Sequence, residues 1–170
     1  MSDQAPDDQA PDDQAPDDRG PDDQTADEPA SVAIDLGDFD AVGIVADILV
    51  SLRAHTMATS ADTAATVSAP DGWHRVVMTA RDSGHVVLGV RYQPLSTSRM
   101  KNVADALAGR GWQLDDDGEG ATLRFPPGTD ATTPAFELLA AATLSGAPGD
   151  VRTVTATDGF GTVVDLRPPD

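Results

Sequence analysis

The chain has 170 residues, no cysteine and a formal net charge of −18. Without cysteine there can be no disulfide, no thiolate zinc site and no cysteine nucleophile. So acidic a chain gains nothing from counterion release on DNA or RNA and is repelled by an anionic membrane surface, so neither is an expected partner.

The charge is unevenly spread. Residues 1–30 hold eleven acids and one base, Arg19, for a net −10, and the other 140 residues hold 18 acids and 10 bases, for −8. Residues 3–27 form five pentapeptide units, DQAPD three times, then DRGPD and DQTAD. They contain no large apolar side chain to offset the entropy of ordering, and proline in all but the last unit blocks helix and strand alike. The expectation is a disordered acidic tail over 1–30, extended with polyproline II character, followed by a single domain over 31–170. The start of the chain lacks the basic stretch and apolar core of a secretory leader. The longest apolar run, Val42 to Leu52, is broken by Asp47 and is too short to span a bilayer. Together these predict a cytoplasmic protein.

From Ser31 the composition changes. Ala41, Val45, Ile48, Leu49 and Leu52 recur at helical spacing, with Asp38 or Asp40 as the cap. The following small and polar stretch reads mostly as loop, with a short strand over Ala65 to Ser68. "WHRVVMTARDSGHVVLGVRYQ" then predicts a β-hairpin about Asp82, Ser83 and Gly84. A three-residue loop pairs Arg81 with His85 and uses Gly84 in the left-handed position. In that register Val76, Met78, Ala80, Val86, Leu88 and Val90 share the core face. The opposite face collects Trp73, Arg75, Val77, Thr79, Arg81, His85, Val87 and Arg91.

"STSRMKNVADALAGRGW" predicts a second helix with Met100, Val103, Ala104 and Leu107 inward. Two short strands, Trp112 to Leu114 and Ala121 to Phe125, flank the turn "DDDGEG". A third helix is expected from Thr133 as N-cap and Pro134 at its first position, with Phe136, Leu139, Ala140 and Thr143 inward. The β-branched alternation of "VRTVTATDGFGTVVDL" predicts a strand or hairpin turning at Asp158 and Gly159. The whole is an α+β two-layer sandwich in α-β-β-(β)-α-β-β-α order, with an antiparallel sheet and helices on one face.

Catalytic signatures are missing. His55, His74 and His85 have no metal-ligand spacing, the "DDDGEG" acids lack the calcium-loop pattern, and no nucleophile elbow or phosphate loop occurs. No enzyme activity, metal or cofactor is expected. The feature above background is the polar hairpin face, where Arg75 and Arg91 should stand directly opposite, an unfavourable like-charge pair. Trp73, Arg75, Arg81, His85 and Arg91 are the candidate peptide-binding residues. Arginine would pair with carboxylates and tryptophan would anchor an extended peptide. The acidic tail is expected to dock weakly and salt-sensitively on this face.

The helix, β-meander, helix, two strands, helix order resembles the type III secretion chaperone-like fold shared by YbjN-type proteins and the peptide-binding chaperone-like domains common in actinobacteria. The resemblance is carried by "LSTSRMKNVADALAGRGWQLD" with its Gly111-Trp112 pair, by "DDDGEG", by "ATLRFP" and by the helix from Pro134 to Ser145. It spans residues 38–146. The β-like C-terminal segment and the repeat tail depart from that pattern. The resemblance implies a non-enzymatic domain that binds a peptide or an unidentified partner protein, commonly as a homodimer. The alternative from the residues alone is a small-ligand-binding or regulatory α+β module.

Overall fold

The computed structural model describes residues 31–72, 74–91, 95–144 and 149–166. The expected tail over 1–30 and the Trp73 anchor lie outside the described residues. Elements follow in the order β1 (Val32–Asp35), α1 (Ala41–Thr59), β2 (Thr63–Ser68), β3 (Arg75–Ala80), β4 (Val86–Arg91), α2 (Thr97–Gly109), β5 (Gln113–Leu114), β6 (Gly120–Phe125), α3 (Thr132–Leu144) and β7 (Val151–Asp158). The strands form one sheet in the order β1-β7-β2-β3-β4-β6-β5, with every neighbouring pair antiparallel. All three helices lie on the same face, so the fold is the α+β two-layer sandwich that the sequence predicts.

Burial of one strand face drives the assembly. Ala65 and Val67, Val76 and Met78, Val86, Leu88 and Val90, and Val154 and Ala156 point into one core with Leu49 and Leu52 of α1, Leu107 of α2 and Leu138 of α3. The predicted hairpin register is present. Arg75 pairs with Arg91, Ala80 pairs with Val86, and the Arg81 amide donates to the His85 carbonyl at 2.9 Å. Gly84 sits at φ +81°, and a Cβ there would meet the Pro127 Cβ at 3.2 Å, so both backbone conformation and space call for glycine.

α1 buries the predicted stripe and adds Thr56. By length and composition α1 could cross a membrane, yet that stripe is packed in the core. It also runs on to Thr59, four residues past His55, where Ser60 adopts a left-handed conformation and returns its amide to the Thr56 carbonyl. Asp40 occupies the cap position without a side-chain cap bond, and Asp38 Oδ1 instead accepts the Asp40 amide at 3.1 Å.

Three other expectations need correction. Val32–Asp35, a segment in which the sequence predicts no strand, is an edge strand paired to β7. β2 is a full six-residue strand between β7 and β3, and its buried Thr63 is satisfied by the Thr56 hydroxyl at 3.0 Å. α3 starts at Thr132, before Pro134, and the Asp130 carboxylate accepts the Thr132 amide at 2.9 Å. Its buried face is Pro134, Ala135, Leu138, Leu139, Ala141 and Ala142, so of the predicted stripe only Leu139 is buried. The helix is apolar nearly all round, so periodicity cannot choose a face. α3 packs against α1, and the face it buries mixes small residues with Leu138 and Leu139. Phe136 stays half exposed, with the Arg110 guanidinium 5.6 Å from its ring centre and Arg110 held bidentate by Glu137 at 2.9 and 3.0 Å.

β7 turns back at Asp158 as predicted, and Thr157 bridges to Val163. The Thr162 amide donating to Asp158 Oδ1, and after it the Phe160 amide and His55, hold this carboxyl below the usual range. Asp62 is lowered likewise, first by the Asp82 amide and then by Arg81. A folded-state carboxyl pKa below the unfolded one contributes stability above the unfolded value, and that contribution fades as pH falls through the folded one. The melting temperature should therefore drop below about pH 4. Asp158→Asn should flatten that acid limb in a melting-temperature series over pH. Parallel profiles for the two proteins would contradict the assignment.

Candidate functional site

The sheet face away from the helices carries no described element. Alternation along each strand fixes what it presents: Thr66 on β2, Arg75, Val77 and Thr79 on β3, Val87, Gly89 and Arg91 on β4, and Thr122 and Arg124 on β6. These side chains are small, β-branched or cationic.

The predicted site residues share this face but fall into two groups. Arg75 and Arg91 stand opposite each other at one end of the hairpin, and Arg81 and His85 flank the turn at the other. Six residues along β3 separate the two ends, about 20 Å at the usual strand rise. Each end has its own depression. The first, of about 400 Å³, is lined by Thr66, Arg75, Val77, Gly89, Arg91 and Thr122, with Asp115 at its rim. The second, of about 340 Å³, is lined by Arg81, Ser83, His85, Val87 and Arg124.

Counter-charges distant in sequence modify the expectation of an unbalanced basic face. Arg81 Nη1 donates to Asp62 Oδ2 at 2.7 Å, across from β2. Arg91 Nη1 donates to Asp117 Oδ2 at 3.2 Å, with Asp115 at 3.9 Å, so the "DDDGEG" turn supplies its partner. The Glu119 amide, then the Arg91 guanidinium, keep Asp117 well ionised below the usual carboxylate range. Among the described residues Arg75 and Arg124 make no ion pair. Two of the four arginines of the face thus have acidic partners, two have none among the described residues, and Arg124 joins the site without having been singled out in the sequence.

The histidines do not form a catalytic group. His85 Nδ1 lies 3.1 Å from the Ser83 hydroxyl at the exposed turn. His74 is buried on the core side, as its register predicts, with Nδ1 2.8 Å from Asp71 Oδ2. His55 Nε2 is 3.6 Å from Asp158 Oδ2 at the C-terminal end of α1. Among the described residues no three histidine or acidic side chains converge where they could hold a metal ion.

Gly89 is the residue that sequence reasoning passed over. It sits in the middle of β4, between β3 and β6, and strand interiors disfavour glycine. Its φ is not in the left-handed range, and a Cβ would meet no atom within 4 Å. The fold does not require glycine here. A Cβ would instead project into the first depression, between Val77 and Thr122, its cross-strand neighbours. The signal was visible as a lone glycine inside "VVLGV". Comparison with protein-family models, with curated proteins and with solved structures finds no match for the chain in any of the three.

Proposed function

We propose that this protein is a non-enzymatic, chaperone-like binding module that receives an extended acidic peptide on its open sheet face. The observation that carries this reading is the meeting of two local costs at one place. Arg75 faces a like charge across the hairpin, and Gly89 interrupts a strand that would be firmer with a side chain. Departures of this kind are expected where function sets the residue. A peptide backbone approaching the sheet would use the space left at Gly89, and its carboxylates would bond Arg75 in the charge-assisted geometry arginine favours. The run from α1 to α3 also has the element order that the resemblance to YbjN-type domains implies.

Pairing of the peptide onto a sheet edge is the weaker mode. The edge strands β1 and β5 have four and two residues, the short edges by which proteins avoid strand addition.

Gly89→Val tests the reading. A valine suits the pleated surface, so the substitution should raise stability by about 1 kcal/mol in denaturant titrations. It should also weaken binding of a labelled peptide bearing two aspartate pairs, measured by fluorescence anisotropy, by about tenfold or more. A stabilised protein that binds as before would sink the proposal.

A further inference from the structure

We infer that the acidic pentapeptide repeat of residues 3–27 is the resident occupant of the open sheet face and screens it from other peptides. The inference rests on the peptide-binding reading above and names the regulation of that site.

Three observations carry it. The first is spacing. Arg75 and Arg124 are the cations of the open face that make no ion pair among the described residues. Arg75 aligns with Arg91 and Gly120, and Arg124 aligns with Val87 and Thr79. They are therefore two strands apart laterally and four residues apart along the strands. At about 4.8 Å per strand and about 3.3 Å per residue, the diagonal is about 16 Å. The repeat places aspartate pairs at Asp7 and Asp8, Asp12 and Asp13, Asp17 and Asp18, and Asp22 and Asp23, always five residues apart. Five residues of polyproline II advance about 15.5 Å. Successive aspartate pairs thus match the backbone separation of Arg75 and Arg124.

The second is reach. Val32, the first residue of β1, lies in register with Val154, Val67, Val76 and Val90 across the sheet. The segment before it therefore starts level with Val77 and Gly89, three strand spacings, or about 14 Å, from β3. Asp22 and Asp23 precede Ser31 by eight or nine residues, about 25 Å when extended. That is enough to reach Arg75, and the next pair toward the N-terminus would then reach Arg124. The third is charge, −10 over residues 1–30 against two guanidiniums without an acidic partner among the described residues. Tethering raises the effective concentration of the tail to the millimolar range, so two weak carboxylate–arginine contacts acting together can hold it.

The test compares amide spectra of the isotope-labelled full chain with those of a full chain in which the eight paired aspartates are changed to asparagine. Shift differences at Val77, Gly89, Thr122 and Arg124 are expected, with none at Phe136 on the helix side. The asparagine chain should also bind the labelled acidic peptide several-fold more tightly than the native chain. Coincident spectra on the open face, with equal peptide affinity in the two chains, would overturn the inference while leaving the peptide-binding reading intact. An asparagine chain that binds no peptide would overturn both. A third chain keeps the composition of residues 3–27 but scrambles their order. If it gave the native shifts, the spacing argument would be overturned.

Discussion

Leu88→Ala is expected to destabilise the domain by about 2–5 kcal/mol, whereas Val87→Ala, one residue away, should cost about 1 kcal/mol or less. Leu88 is fully buried at the centre of β4, between Met78 and Leu123, and faces the helix layer. Truncation there removes transfer energy and leaves a cavity that strands fixed on both sides cannot close. Val87 points to the open face, where solvent already reaches it and its loss creates no void. Against a total stability of about 5–15 kcal/mol, the first change alone consumes a large fraction. Chemical denaturation of the two variants measures the contrast. Equal costs would mean that a second layer covers the open face and that the sheet is buried on both sides.

The second large effect concerns binding. Arg75→Glu should abolish measurable capture of an acidic peptide while leaving the fold intact and slightly firmer. Arg75 lies directly across from Arg91, so reversing its charge replaces a repulsive cross-strand pair with an attractive one, worth about 0.2–1 kcal/mol. It also turns the guanidinium meant for the ligand into a carboxylate that repels it. Arg124→Glu should weaken capture in the same direction at the second depression. Arg81→Glu should behave differently, because Arg81 is engaged with Asp62, and a carboxylate there would face another carboxylate and loosen the hairpin turn. Anisotropy titrations alongside thermal melts separate these outcomes. If Arg75→Glu bound peptide at native strength, the site would have to be sought elsewhere.

The hairpin shows why part of this molecule is legible in its sequence. In β3 and β4 one face is wholly apolar and the other takes every charge, and a glycine suits the turn, so the buried face and the register followed. α1 announced its face through a clean apolar stripe. β2 did not, because its inward residues, Thr63, Ala65 and Val67, are too small and polar to stand out, and their burial depends on the strands paired on either side, β7 above all, which is far away in sequence. α3 failed for the opposite reason, having more apolar surface than it could bury. The insertion of β7 between β1 and β2 joins the two ends of the domain, and no local pattern encodes it. In the site, the arginine pair was readable from register alone. The partners Asp62, Asp115 and Asp117 and the added Arg124 required the fold. Gly89 stood in plain view, but its meaning appeared only once the empty space above it was known.

The most direct test of the central claim is a titration of a synthetic peptide bearing two aspartate pairs five residues apart into the isotope-labelled chain whose repeat aspartates are asparagine. The account predicts saturable shifts that trace Thr66, Arg75, Val77, Gly89, Thr122 and Arg124, and that vanish in Gly89→Val. Saturable shifts centred instead on the helix layer, around Met57, Phe136 or Arg110, would contradict it.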